Sequence, residues 1–108
     1  MANVFWTNPA LADVKDIAAF IAKDSPTYAA RMAQRLLQST RRLRRFPYSG
    51  GVVLEFGDPT IREVLVRPYR VVYAIRESNC YVVAVVHGSC DLVAQHSPQT
   101  LHQRADDL

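Results

Sequence analysis

The sequence predicts an α+β domain in which an N-terminal strand and an antiparallel two-helix hairpin pack on one antiparallel sheet of three to four strands. Three observations predict it. Two segments carry apolar residues spaced three and four apart, each opened by a capping residue and a proline. The gap between those segments is only two or three residues. Three β-rich runs then follow in the second half, separated by equally short turns. Helices grouped ahead of the main strands place the hairpin on one sheet face and leave the other face open.

Asn3–Trp6 reads as a short strand, because Val4, Phe5 and Trp6 suit a pleated sheet and Thr7-Asn8-Pro9 stops it. Asn8 can accept a hydrogen bond from an early helical N–H, and Pro9 fits the first helical position, where a missing donor costs nothing. Leu11, Val14, Ile17, Ala18 and Ile21 form the apolar stripe of the first helix. Ser25-Pro26 opens a second, whose stripe of Ala29, Met32, Ala33, Leu36, Leu37, Thr40 and Leu43 runs to about Phe46. Pro47 disfavours helical geometry in the residue before it and ends that helix. A connection this short folds the two helices back on each other. Gly50, Gly51, Gly57 and Pro59 punctuate the next stretch, leaving room for a short strand over Val52–Phe56. Ile61–Val66, Tyr69–Arg76 and Cys80–His87 make the meander, joined by Arg67-Pro68 and Glu77-Ser78-Asn79. Residues 1–92 are read as the domain, and 93–108 as a polar tail that either forms a short helix or frays.

At 108 residues, 49% hydrophobic and 21% charged, the chain suits one folded domain and not the disordered class. No apolar run approaches the ~20 residues that cross a bilayer. Met1–Pro9 lacks the basic start, apolar core and cleavage site of a signal peptide. The expectation is a soluble cytoplasmic protein with no membrane partner. If Cys80 and Cys90 lie along one strand they stand roughly 30 Å apart, beyond disulfide reach, so free thiols are expected. A spaced Cys/His ligand set, a Gly-rich phosphate loop and a Gly-x-Ser-x-Gly elbow are all missing, and no metal or cofactor is expected.

Charge is unevenly spread. The net charge is +3, yet Met1–Tyr48 carries eight basic residues against three acidic ones, a net +5. Eleven of the thirteen basic residues are arginine. Arg41, Arg42, Arg44 and Arg45 complement the negative end of the second helix in part. Four cations exceed that need, which makes the cluster a candidate docking face for an acidic partner or a phosphate backbone.

Strand register brings other polar residues together. With Arg67-Pro68 as the turn, Val66 opposes Tyr69, Leu65 opposes Arg70 and Arg62 opposes Tyr73. A three-residue loop in the next hairpin pairs Tyr69 with His87, and a two-residue loop pairs Arg70 with His87. Either way Tyr69, Arg70 and His87 meet at one sheet end. Tyr69, Val71, Tyr73 and Ile75 form the more apolar set and should face the helices. Arg70, Val72, Ala74 and Arg76 then face the open side, with Arg67 at the rim. An imidazole beside an arginine can move a proton near a phosphate, and tyrosine and arginine planes stack on unpaired bases. The structural alternative makes His87 a hydrogen-bonded strand-end residue and Arg70 a salt-bridge partner of Glu63. A cysteine nucleophile built on His87, Cys90 and Asp91 has nothing to orient it.

Trp6-Thr7 through Asp13, Ile17–Ile21, Asp24-Ser25-Pro26 and Arg44-Arg45-Phe46-Pro47 come first along the chain. Arg62-Glu63-Val64-Leu65, Pro68-Tyr69-Arg70-Val71-Val72-Tyr73 and Val86-His87-Gly88-Ser89 follow, ending in Asp91-Leu92. In order and spacing they resemble the RelE/ParE superfamily, the toxic halves of type II toxin–antitoxin systems, and ParE more closely. ParE-like members poison DNA gyrase, whereas RelE-like members cut mRNA on the ribosome. Only two lysines exist, Lys15 and Lys23 on the first helix, and the region past His87 holds Arg104 alone, which favours gyrase inhibition. If the chain is instead a ribonuclease, Arg62, Arg67, Arg70 and His87 are the expected cleaving set. A non-toxic binding module is the third reading. Tyr69, Arg70, His87 and Cys90 are the expected functional surface, and Arg41, Arg42, Arg44 and Arg45 the expected partner-binding one. The resemblance implies a cognate antitoxin of ParD or RelB type, with operator DNA bound only through the complex. Relatives commonly carry a basic residue where Cys90 stands, so Cys90 is either natural variation or the mark of a weakened toxin.

Overall fold

Thr7, rather than Asn8, caps the first helix in the computed structural model of the chain, which describes residues 1–108. Its Oγ1 accepts from the Ala10 N–H (3.4 Å) and donates to the Val82 carbonyl (2.8 Å). One buried hydroxyl thus starts α1 (Asn8–Ala22) and ties it to the sheet. Ser25 caps α2 (Pro26–Gln38), accepting from the Tyr28 N–H at 3.2 Å. This second helix stops well short of Phe46. Ser39 turns its hydroxyl back onto the Leu36 carbonyl (2.6 Å), and the buried Thr40 receives the Trp6 indole N–H (3.2 Å). Arg41–Arg44 continue as a tighter 3₁₀ turn with Leu43 buried beneath it.

The sheet has five strands in the order β1-β5-β4-β3-β2: β1 (Val4–Trp6), β2 (Gly51–Val52), β3 (Ile61–Val66), β4 (Tyr69–Arg76) and β5 (Asn79–His87). The expected antiparallel sheet of three to four strands is present as β2–β5, and the N-terminal strand joins it as a fifth. β1 runs parallel to β5, with Val4 beside Cys80 and Trp6 beside Val82, because the helical hairpin returns the chain to the end it started from. The strand expected over Val52–Phe56 shrinks to Gly51–Val52, since residues 54–57 turn and Gly57 takes a φ of 62°. Glu77 and Ser78 form a two-residue turn, both left-handed at φ 52° and 68°. That turn alone would set Tyr69 opposite Val86. A bulge at Val83, opposite the Val72–Tyr73 step, shifts the ladder by one and pairs Tyr69 with His87.

Val71, Tyr73 and Ile75 pack under the helices with Ala10, Val14, Met32, Leu36 and Leu43, and Tyr69 borders them. The opposite face, expected to be open, is covered. Val72 and Ala74 are buried there with Val53, Ile61, Val83 and Ala84, beneath Leu92 of α3 (Leu92–Gln95) and Leu101 of α4 (Pro98–Asp106). Ser97 caps α4 through the Thr100 N–H (3.1 Å), His102 Nε2 lies 3.0 Å from the Thr60 hydroxyl, and Arg76 pairs with Asp106. Beyond β1, two charged side chains close the free edge of β5. Arg104 donates to the Val83 carbonyl (2.7 Å), and Asp13 accepts from the Val85 N–H (2.9 Å). No helix is long and apolar enough to cross a membrane.

Candidate functional site

Two turns meet at the end of the sheet: the cis Arg67–Pro68 step between β3 and β4, and Gly88-Ser89 after β5. The Gly88 N–H donates to the Pro68 carbonyl at 2.7 Å, and a Cβ at position 88 would stand only 3.0 Å from that oxygen. Beside this junction opens a cleft of about 510 Å³, lined by Glu55, Glu63, Leu65, Arg67, Tyr69, Arg70 and His87 with the turn residues. The three residues that the register arithmetic converges are therefore together.

His87 is exposed and stands edge-on to the Tyr69 ring, with centroids 5.7 Å apart at 83°. Ser89 holds it: the backbone N–H donates to Nδ1 at 3.1 Å, and Oγ lies 2.7 Å from the same nitrogen. An amide N–H only donates, so Nδ1 carries a lone pair and the neutral ring keeps its proton on Nε2.

Arg70 is not a free cation. Its Nε and Nη2 donate to Glu63 Oε1 (2.9 and 2.5 Å), while Nη1 and Nη2 donate to Glu55 Oε2 and Oε1 (2.7 and 3.0 Å). The side chain is 11% exposed. Those bonds hold the Glu55 carboxyl below its usual range, and Glu55 first, then Glu63, push the guanidinium pKa further up. Glu63 is the diagonal neighbour that the strand register allows, two residues from Leu65 on the same face. Glu55 comes from the loop after β2, where no register applies. Arg67 remains the exposed, unpaired cation of the cleft. Two carboxylates against two guanidiniums leave the cleft close to neutral.

Arg62 lies outside the cleft. It donates to the carbonyls of Pro59 (2.9 Å), Tyr48 (3.1 Å) and Gly50 (3.0 Å), and stacks 5.0 Å above the Tyr48 ring centroid, so it fastens two loops. Cys90 is half-buried just past the cleft, its thiol donating to Gln95 Oε1 at 3.2 Å. Cys80 and Cys90 are both free, and burial pushes the Cys80 thiol up to about 11. Arg41, Arg42, Arg44 and Arg45 form a separate surface around Met1 and Phe46. The Ala2 N–H donates to the Arg44 carbonyl (2.9 Å), which sets this cluster near the Cys80 end of β5, opposite His87. No group of His, Cys, Asp or Glu residues is arranged to hold a metal ion.

The family model for the ParE toxin of the type II toxin–antitoxin system, parDE, matches residues 4–92. The chain belongs to the ParE toxin family. A relative, Toxin RelE2 of Caulobacter vibrioides, is 36% identical over 90 residues, which is 82% of this chain and 98% of the relative. Two solved structures share the fold. One is from the chromosomal ParDE toxin–antitoxin system of P. aeruginosa (TM-score 0.67, 17% identity, 81% of this chain and 96% of that one). The other is from the RelBE2 toxin–antitoxin complex of Mycobacterium tuberculosis (TM-score 0.51, 20% identity, 80% and 96%). In this ParE-family toxin the matched span holds the whole cleft and the arginine cluster, whereas α4 lies beyond it.

Proposed function

We propose that this ParE-family toxin halts growth by inhibiting DNA gyrase, and that a ParD-like antitoxin neutralises it. The pairing of Arg70 with two carboxylates carries the reading. An RNA-cleaving site needs cations aimed at the charge developing on phosphate, and here Glu55 and Glu63 occupy the donors of Arg70. A near-neutral cleft with Leu65 54% exposed and Tyr69 beside it suits contact with a protein surface better than with a polyanion. An antitoxin partner follows from membership of a type II toxin family, and operator DNA would be bound through the complex with it. One observation favours mRNA cleavage instead: His87, with its proton on Nε2, shares the cleft with the unpaired Arg67.

A supercoiling assay with purified gyrase, run beside a translation assay with primer extension, tests the proposal. Supercoiling should fall as toxin is added, recover with antitoxin, and leave the message intact. Ribosome-dependent cuts with normal supercoiling would overturn it in favour of the nuclease reading. Neither effect would point to a non-toxic binding module.

A further inference from the structure

We infer that the arginine ridge around the 3₁₀ turn binds the phosphate backbone of duplex DNA directly, with no antitoxin present. The inference stands apart from the gyrase reading, because it concerns the opposite end of β5 and the isolated toxin. From Ser25 to Leu54 the chain holds six arginines and no acidic residue. All six, Arg31, Arg35, Arg41, Arg42, Arg44 and Arg45, are exposed, and the molecule's ion pairs use Arg70, Arg76 and His102 instead. No internal carboxylate competes for these guanidiniums.

The turn also orders them. A 3₁₀ helix has three residues per turn, so residues three apart stack in rows about 6 Å apart along the axis. Leu43 supplies the buried row. Arg41 with Arg44, and Arg42 with Arg45, make two exposed rows with a spacing close to the step between successive phosphates. The backbone beneath is fixed by the Ala2–Arg44 bond (2.9 Å), the Leu43 N–H to the Thr40 carbonyl (3.0 Å) and the Arg42 Nε to the Ser49 hydroxyl (3.3 Å). Every cation of the ridge is arginine, whose planar fork matches phosphate oxygens, while Lys15 sits on α1 and Lys23 caps its C-terminus.

Duplex DNA is favoured over other polyanions for two reasons. It carries one charge per ~1.7 Å of axis, so a dense ridge of cations releases the most counterions from it. A single strand is gripped by successive bases stacking on several free rings. Beside the turn Phe46 alone offers one, because Arg62 already covers Tyr48 and the exposed Tyr28 lies at the far end of α2.

The test titrates the full-length toxin, without gyrase or antitoxin, into a short fluorescein-labelled duplex and follows anisotropy. Four phosphate contacts predict a log–log salt slope of about −3.6, a loss of roughly 100-fold between 50 and 200 mM salt. Changing all four turn arginines to Gln should cost at least tenfold in affinity and flatten the slope, with circular dichroism unchanged. Changing all four to Lys should keep binding within a few-fold. If the fourfold Gln variant fails to fold, the row variants R41Q/R44Q and R42Q/R45Q decide, each halving the slope. Unchanged duplex binding in the Gln variants overturns the inference. So does tighter binding of single-stranded DNA, RNA or polyglutamate than of duplex at equal salt.

Discussion

Arg70 and Tyr73 show how single side chains hold the cleft and its underlying core. Arg70 makes four hydrogen bonds to two carboxylates, and Glu63 among them is only 15% exposed. Arg70→Ala leaves that carboxylate desolvated and unpaired, and should cost about 2 kcal/mol, less than a fully buried pair because water reaches Glu55. Urea unfolding of the variant measures it, and a loss below 0.5 kcal/mol would mean the pair is screened like any surface bridge (an order-of-magnitude boundary, roughly that of exposed pairs). Tyr73 is fully buried, and its hydroxyl donates to the Pro47 carbonyl (2.8 Å) and accepts from the Gly50 N–H (3.0 Å). Tyr73→Phe strips both bonds, and a destabilisation of about 1–2 kcal/mol is expected in the same measurement. The loop that Arg62 fastens, from Pro47 to the start of β2, should loosen with it, visible as faster amide exchange at Gly50.

Among the elements, α4 has the least sequence signal and a clear structural role. Leu101 is fully buried against Val72, Val83 and Ala84, and Leu101→Ala should cost about 2–4 kcal/mol by leaving a cavity between helix and sheet. A thermal melt shifted by only a degree or two would show that α4 is dispensable cover. Its apolar stripe is just Leu101 and Ala105, too short to register as a helical period, which is why the sequence reads as a polar tail with one face of the sheet open. The strand–hairpin–meander order was legible because prolines, capping hydroxyls and short turns each fix a boundary locally. The bulge was not, since Val82-Val83-Ala84-Val85-Val86 is an apolar run with no phase to reveal an extra residue. Tyr69 and His87 still come together because turn and bulge shift the register in compensating ways. Glu63 could be foreseen beside Arg70 from strand pairing, whereas Glu55 depends on how a glycine-punctuated loop folds back, which no periodicity encodes. The α1 cap slips by one residue because Thr7, unlike Asn8, can also reach the Val82 carbonyl.

At the scale of the whole molecule, acid stability reports how the buried and clamped carboxylates compete. Hydrogen bonds from Arg70 lower the Glu55 pKa from 4.5, and those from Thr60 lower the Asp58 pKa from 3.8. Such groups bind protons less tightly folded than unfolded, so their stabilisation is complete above those ordinary values and fades as pH falls through the lower folded ones. Asp13 works the other way. Burial raises its pKa above 3.8, outweighing the Val85 N–H and the charge of Arg104, so ionised Asp13 weakens the fold at neutral pH and the penalty disappears on acidification. Asn at position 13 can still accept the Val85 N–H without carrying charge. Asp13→Asn should therefore be more stable than the parent at pH 7 and converge with it below pH 3.8, steepening the fall between the two. Urea midpoints collected across that range check the prediction. A variant weaker than the parent at pH 7 would reverse the sign, and would mean that Asp13 and Arg104 brace the free edge of β5 as an ion pair across the strand.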